Sequence, residues 1–182
     1  MALKSTVYKA DLQIADMDRG YYADHALTMA RHPSETDERL MMRLLAFALF
    51  ADERLAFARG MTEDDEPELW QRNLVGEIER WIEVGQPDPK WLKKGTHRAD
   101  EVVLITYGRS ANIWWAGARK DLDKLDKLKV LYVPPEQSEA LAALSARGMK
   151  LQCNLQDGTA WFGNAEGDSA EIHPEVWKAP AA

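Results

Sequence analysis

Acidic residues lie beside two short stretches of alternating apolar and polar residues near the middle of the chain. Glu68 precedes the stretch 69–71, and Glu83 lies within the stretch 78–84. Opposed side chains on paired strands are about 5 Å apart, so the two carboxylates can converge on one cation if the strand register brings them together. Oxygen ligands suit Mg²⁺ or Mn²⁺, and such an ion lowers the pKa of bound water and clamps a phosphate. The pair therefore predicts metal-assisted phosphodiester hydrolysis.

Lysines on the following segment can complete this chemistry by stabilising developing negative charge. Lys90 and Lys94 are one helical turn apart and Lys93 is offset, so one of them can reach the sheet edge. Other acids have simpler interpretations. The acidic run 64–66 is typical of a solvated loop, and Glu38, in a first helical turn, is explained by the helix dipole.

The elements that must position these residues are predicted from hydrophobic periodicity. In the stretch 78–84, alternation puts Trp81 and Glu83 on one face and Ile82 on the other. The stretches 69–71 and 78–84 are predicted to be neighbouring antiparallel strands, followed by a helix from Pro89 to about His97 that is capped by Asp88. The other predicted strands are 6–15 and 22–31, forming a hairpin, 102–107, 129–133, and 150–155 and 159–162, forming another hairpin; the other predicted helices are 35–51, begun at Ser34, 110–125 and 135–147.

This order of elements indicates an α/β fold with a mixed sheet. Strands separated by helices tend to pair in parallel, whereas hairpin strands pair antiparallel. We expect one central mixed sheet with helices on both faces and added strands at the termini. The length of 182 residues fits a single domain spanning 1–182.

Composition limits the classes of function. The net charge of −7 opposes loose binding to nucleic-acid backbones, but it is compatible with a nucleic-acid enzyme that has a local basic rim. The single cysteine, Cys153, excludes an internal disulfide and favours a reducing compartment, so we expect a cytoplasmic protein. No signal peptide or membrane-spanning segment is predicted. The four histidines lack metal-ligand spacing, and the seven tryptophans favour packing over base stacking.

Several segments resemble the YaeQ family over nearly the whole chain. They are MALK at 1–4, VYKA at 7–10, LTMARHPSET at 27–36, DEPELW at 65–70, WIEVGQP at 81–87, ITYG at 105–108 and IWW at 113–115. The resemblance implies a restriction-endonuclease-like core similar to the PD-(D/E)XK nucleases. In those enzymes one strand carries an acid and the next carries an acid-x-lysine pattern.

The resemblance also implies roles for particular residues. Glu68 matches the first acid and Glu83 the second, and the carbonyl of Val84 is a further metal ligand. The lysine position of the pattern holds Gly85, which is a departure from the family of nucleases. Its replacement is predicted to be Lys94, which is preferred, or Lys93 or Gln86; otherwise the site does not cut. Glu38 resembles a helix acid found in some of these nucleases.

Three hypotheses of different kinds follow. The first is a nuclease dependent on Mg²⁺ or Mn²⁺ that acts on DNA or RNA. The second is a nuclease-like domain without cleavage activity that binds nucleic acid or a protein partner. The third treats the acids as a structural cation site or a hydrogen-bonded network, so that substitution of Glu83 lowers stability without changing the handling of nucleic acid. A lysine close to Glu83 favours the first hypothesis.

Overall fold

The computed structural model describes residues 4–60 and 65–181, which form a mixed α/β fold with four helices and two mixed sheets. These residues divide into two compact units. The first unit contains the described residues up to Leu49 and Glu136–His173. The second contains the described residues of Phe50–Pro135 and those from Pro174 onwards. The assignment of 1–182 to one domain stays a prediction.

The first unit is built on a five-stranded sheet in the order β10-β9-β8-β1-β2. The predicted opening hairpin is confirmed, because β1 pairs antiparallel with β2. β8 then pairs with β1 in parallel, with Leu151 beside Leu12, and this pairing buries the apolar faces of both strands. The elements of this unit are β1 (Thr6–Asp16), β2 (Tyr21–Arg31), α1 (Asp37–Leu49), α4 (Pro135–Ala142), β8 (Gly148–Gln156), β9 (Thr159–Asn164) and β10 (Ser169–Ile172).

Helix α1 begins later than the sequence predicts. The side chain of Thr36, not that of Ser34, accepts a hydrogen bond from a first-turn amide, Arg39 N–H, at 3.1 Å. Glu35 lies before the helix, where its buried carboxylate accepts a hydrogen bond of 2.6 Å from the Arg43 guanidinium. This ion pair holds Glu35 outside the helix, which is why the expected start at residue 35 is wrong.

The second unit is built on a six-stranded sheet in the order β11-β7-β6-β5-β4-β3. The predicted antiparallel pairing of the strands around residues 69–71 and 78–84 is confirmed. The next two pairs, β5 with β6 and β6 with β7, are parallel. The elements are β3 (Leu55–Phe57), β4 (Leu69–Arg72), β5 (Ile78–Val84), α2 (Pro89–Arg98), β6 (Ala99–Tyr107), α3 (Ala111–Leu122), β7 (Leu128–Val133) and β11 (Glu175–Lys178).

One face of the second sheet packs against α2 and α3. Trp81 of β5 and Leu104 of β6 are fully buried in a cluster with Leu92 of α2 and Leu122 of α3. Because side chains alternate along a strand, every second residue from Trp81 and Leu104 belongs to this helix-covered face. The predicted cap of α2 is confirmed, since the Asp88 carboxylate accepts a hydrogen bond of 2.9 Å from Lys90 N–H.

The structure also corrects the sequence-based prediction. Mixed pairing is confirmed, but the strands form two sheets instead of one central sheet. The strands β3, β10 and β11 were not predicted. Helix α4 ends at Ala142 instead of residue 147, because hydrogen bonds between residues three apart tighten the backbone around its last residue. Within residues 4–60 and 65–181, no helix is both long and apolar enough to cross a membrane.

Candidate functional site

Glu68 and Glu83 adjoin the last residue pair between β4 and β5 in the second unit. Leu69 pairs with Ile82, and Glu68 and Glu83 are the next residues along the chain on either side of that pair. The Glu68 amide donates to the Ile82 carbonyl at 3.1 Å, so Glu68 and Leu69 both lie opposite Ile82, as in a β-bulge. Both acidic residues are only 4% exposed. The structure therefore places two buried acids next to one pair of residues, at an irregularity of the ladder.

Glu83 is oriented by a tryptophan from the following helix. Trp91 Nε1–H donates a hydrogen bond of 2.7 Å to Glu83 Oε1. The indole of Trp91 packs against that of Trp81, with 5.6 Å between the ring centroids. A buried carboxylate requires hydrogen-bond donors, and the Trp91 indole supplies one of them to Glu83. Trp91 therefore fixes the orientation of a group that has two acceptor atoms.

Glu68 is held against the backbone of the segment that precedes it. A Cβ atom added at Gly60 would lie 2.6 Å from the Glu68 carboxylate carbon, closer than any real Cβ contact allows. Gly60 has φ +55°, and its amide donates to the Pro67 carbonyl at 3.0 Å. A glycine is required here both by the left-handed backbone and by the close approach of the carboxylate. No local pattern of residues indicates this contact.

Lys94 contacts Trp91 and Asp65. Its Nζ lies 5.0 Å from the centroid of the Trp91 ring and makes an ion pair of 2.8 Å with Asp65 Oδ1. The hydrogen bond and charge of Lys94, with a smaller contribution from Arg98, lower the pKa of Asp65. Lys94 therefore lies over the ring whose N–H donates to Glu83.

Lys93 faces a different part of the second unit. It lines a cleft of about 230 Å³ between α2 and α3. The cleft is formed by Pro89, Lys90, Lys93, Asp121, Lys124 and Leu125. Neighbouring helix positions differ by about 100° around the axis, which explains why Lys93 and Lys94 point to different surroundings. The structure groups Lys94, and not Lys93, with Trp91.

The glycine at the expected lysine position is demanded by the backbone. Gly85 has φ +98°, a left-handed conformation that side chains disfavour, and its amide donates to the Ile105 carbonyl at 2.9 Å. A Cβ at this position would meet no atom within 4 Å, so the space beside it is open. Gln86 is exposed and donates from Nε2 to Ser110 Oγ at 2.8 Å. This bond joins the segment after β5 to the segment after β6.

The remaining acids of the prediction lie apart from these contacts. Glu38, in the first unit, accepts a hydrogen bond of 3.0 Å from Ser138 Oγ. In the acidic run, Asp65 pairs with Lys94 and Glu66 accepts a bond of 2.7 Å from Arg59, as surface ion pairs do. Asp64 lies outside the described residues.

Two buried polar atoms near Glu83 were missed by the sequence analysis. Trp81 Nε1 and Thr106 Oγ1 have no hydrogen-bond partner among the residues that the structure describes. Both residues are 0% exposed and belong to the helix-covered face that carries Glu83. The only signal available in the sequence was a threonine within the apolar run Val102–Tyr107.

The oxygen donors of this region suit a cation that retains much of its hydration. Within residues 4–60 and 65–181, no group of three or more His, Cys, Asp or Glu side chains is placed to hold a metal ion. A protein contribution of two carboxylates is what Mg²⁺ commonly uses, with water and substrate phosphate filling the other positions. Zn²⁺ structural sites, which need four protein ligands, do not fit. The donors therefore fit Mg²⁺ or Mn²⁺.

Comparison with known proteins shows similarity over the whole chain. The family model for YaeQ protein matches residues 1–174. The chain is 45% identical over 182 residues, 100% of each chain, to the "Uncharacterized protein YaeQ" of Escherichia coli (strain K12). It is 48% identical to the YaeQ protein from Xanthomonas axonopodis pv. citri, whose crystal structure aligns with a TM-score of 0.91 over 97% of this chain and 99% of that one. The crystal structure of the YaeQ protein from Pseudomonas syringae is 36% identical and gives a TM-score of 0.91, covering 96% and 97%.

Proposed function

The chain belongs to the YaeQ family, and we propose that it is an enzyme dependent on Mg²⁺ or Mn²⁺ that hydrolyses phosphodiester bonds in DNA or RNA. The second unit would then be a variant of the PD-(D/E)XK nuclease core. The observation that carries the proposal is that two acids, Glu68 and Glu83, both 4% exposed, adjoin the pair of Leu69 with Ile82. Buried acids brought together in this way repel each other unless a cation or a hydrogen-bond network compensates.

Each residue of the site has a part in this proposal. Glu68 and Glu83 hold the ion, with the Val84 carbonyl as a further ligand. The bound ion supplies a water of lowered pKa and neutralises charge on the phosphate. Trp91 keeps the Glu83 carboxylate in one orientation through its 2.7 Å hydrogen bond. Lys94 contributes positive charge beside Trp91, and phosphate binding competes with Asp65 for that charge.

A second candidate function is a nuclease-like module that binds nucleic acid or a protein without cleaving. Two observations favour it. Position 85 carries no side chain, and the ammonium of Lys94 is already paired with Asp65 at 2.8 Å. Without a cation at the reacting phosphate, binding persists while hydrolysis is lost. The cytoplasmic location and the single-domain organisation also stay predictions.

The test is calorimetric titration with Mn²⁺, with and without a single-stranded oligonucleotide whose phosphodiester links resist hydrolysis. Glu83→Gln keeps the size of the side chain and removes the charge. Glu79→Gln, on the same strand and paired with Arg54 at the surface, is the matched control. We expect the intact protein and the control to bind Mn²⁺ and Glu83→Gln to lose affinity by at least about tenfold.

Cleavage assays on DNA and RNA then separate the two candidates. Cleavage that requires Mn²⁺ and is abolished in Glu83→Gln supports the enzyme. Binding of Mn²⁺ without cleavage supports the binding module. If the folded intact protein binds no Mn²⁺ in either titration, the proposed enzyme fails. Binding of the oligonucleotide without Mn²⁺ then supports the binding module. If Glu83→Gln changes only the free energy of unfolding, the carboxylates are structural.

A further inference from the structure

Thr106 is a buried hydroxyl with no visible use in the fold. Its side chain is 0% exposed, and Oγ1 has no hydrogen-bond partner among the residues that the structure describes. Buried polar groups are almost always hydrogen-bonded to protein or water, because desolvation without compensation is unfavourable. Valine has the same shape and higher strand propensity, and it would occupy the position without this penalty. The hydroxyl therefore calls for a partner other than the protein groups of residues 4–60 and 65–181.

The strand register sets Thr106 beside the position where the nuclease pattern expects its lysine. Val84 pairs with Ile105, so the register continued by one residue sets Thr106 next to Gly85. Glu83 pairs with Leu104, and Thr106 follows Leu104 by two residues on the same face. The hydroxyl thus lies on the helix-covered face, one step beyond Glu83 towards the carboxyl ends of the strands.

The position that a side chain at residue 85 would take is open. A Cβ at Gly85 would meet no atom of the described residues within 4 Å, apart from its chain neighbours. Strand spacing and rise set the Cα atoms of Glu83 and Thr106 about 8 Å apart. That separation is too great for backbone contact, and it suits two side chains that reach towards one shared water. The carboxyl ends of parallel strands are also where α/β sheets bind their ligands.

We infer that Thr106 is a positioning residue of the Glu68–Glu83 site, whose hydroxyl hydrogen-bonds a water molecule bound to the divalent cation. The inference rests on the proposed function, because it requires a cation at the two carboxylates. Thr106 supplies from β6 the polar contact that glycine cannot supply at position 85. Loss of this hydroxyl weakens cation binding without loosening the fold.

The experiment measures two properties of each variant: Mn²⁺ affinity by calorimetry, and the free energy of unfolding in urea without metal. Thr106→Val removes the hydroxyl at constant shape. We expect its metal-free stability to be unchanged or raised and its Mn²⁺ affinity to fall by about tenfold, as when a group that orients metal ligands is lost. Thr106→Ser retains the hydroxyl, and its Mn²⁺ affinity stays close to that of the intact protein.

Thr159→Val is the matched control in the first unit. Thr159 is also buried, but its hydroxyl is hydrogen-bonded to His173 Nδ1 at 2.6 Å. We expect this variant to lose stability while keeping its Mn²⁺ affinity. The two threonines thus give opposite patterns, which a general effect of threonine removal cannot produce.

The results that overturn the inference differ from those that overturn the proposed function. If Thr106→Val binds Mn²⁺ as tightly as the intact protein does, the Thr106 hydroxyl does not contact a water bound to the cation, and the inference is wrong. If Thr106→Ser and Thr106→Val lose Mn²⁺ affinity equally, the hydroxyl has no role in binding the cation. If the valine variant does not fold, a loss of Mn²⁺ affinity in Thr106→Ser leads to the same conclusion. No Mn²⁺ binding by the intact protein, with or without oligonucleotide, overturns the proposed function and this inference together.

Discussion

Gly60→Ala tests whether the Glu68 carboxylate is held against the backbone of Gly60. An alanine Cβ would lie 2.6 Å from the carboxylate carbon and 2.8 Å from Oε1, so Glu68 must move. The matched control is Gly20→Ala in the β1–β2 turn. Gly20 has φ +66°, close to the φ +55° of Gly60, and a Cβ there meets no atom within 4 Å. The two variants share the backbone strain and differ in the collision.

The magnitude follows from these two contributions. A side chain in the left-handed region costs about 1–2 kcal/mol, and we expect Gly20→Ala to lose that much stability. Gly60→Ala must in addition displace a buried carboxylate from its position against Gly60, at a cost of about 1–3 kcal/mol. The second loss therefore exceeds the first by about 1–3 kcal/mol, and each kcal/mol lowers the melting temperature by about 2–4 °C in a chain of this size.

Two measurements check this prediction. Urea unfolding gives the free energies, with equal m-values showing that both variants unfold in the same way. Calorimetry gives the Mn²⁺ affinity of each variant, and we expect weaker binding in Gly60→Ala and unchanged binding in Gly20→Ala. If the two variants agree in both stability and Mn²⁺ affinity, Glu68 does not depend on its contact with Gly60, and the reasoning about this side of the site is refuted.

Further predictions concern the lysines and the cysteine. In the proposed enzyme, we expect Lys94→Ala to reduce cleavage and nucleic-acid affinity, and Lys93→Ala, in the separate cleft, to leave cleavage unchanged; steady-state cleavage and fluorescence anisotropy check both. Lys94 lowers the pKa of Asp65, so the ion pair is present above the ordinary pKa of an aspartate and is lost as pH falls through the lowered value. In Lys94→Ala we expect the Asp65 pKa to rise, as measured by NMR titration. Burial, with a smaller effect of Asp16, raises the pKa of Cys153 to about 12, so a thiol reagent at pH about 8 reacts only with unfolded chains.

The pairing of β4 with β5 could be predicted from local sequence. The alternation in 78–84 and the turn residues at 73–76 indicate neighbouring antiparallel strands, and the observed pair of Leu69 with Ile82 follows that pattern. Antiparallel neighbours that are close in sequence have few possible registers. The pairing of these two strands was therefore within reach of sequence reasoning, whereas the irregularity that sets Glu68 opposite Ile82 was not.

The division into two sheets could not be predicted in the same way. Strand β1 pairs with β8, which is more than a hundred residues later in the chain. Nothing in the alternation of either strand identifies its partner, because every amphipathic strand presents the same kind of edge. The order of elements favoured one sheet only because sequence neighbours usually pair. Here the chain returns to its amino-terminal hairpin instead.

The contacts that orient the site were also beyond local patterns. Trp91 reaches Glu83, and Lys94 stands over Trp91, because α2 is rotated so that Leu92 is buried in the core. That rotation decides between Lys93 and Lys94, and the periodicity of a ten-residue helix defines it poorly. The contact between Gly60 and the Glu68 carboxylate depends on packing between segments that lie outside the predicted helices and strands.

The glycine at position 85 connects the backbone of the site to its chemistry. The chain leaves β5 through a residue with φ +98°, so a lysine there would be strained whatever its catalytic value. In the proposed enzyme, the charge that the nuclease pattern takes from that position must come from another element, and Lys94 of α2, over the ring of Trp91, is the substitute we propose. Because Asp65 holds Lys94 at 2.8 Å, an incoming phosphate must displace a carboxylate. Removing Asp65 by Asp65→Asn therefore strengthens phosphate binding in the proposed enzyme, and an unchanged affinity for the oligonucleotide would exclude Lys94 as the substitute.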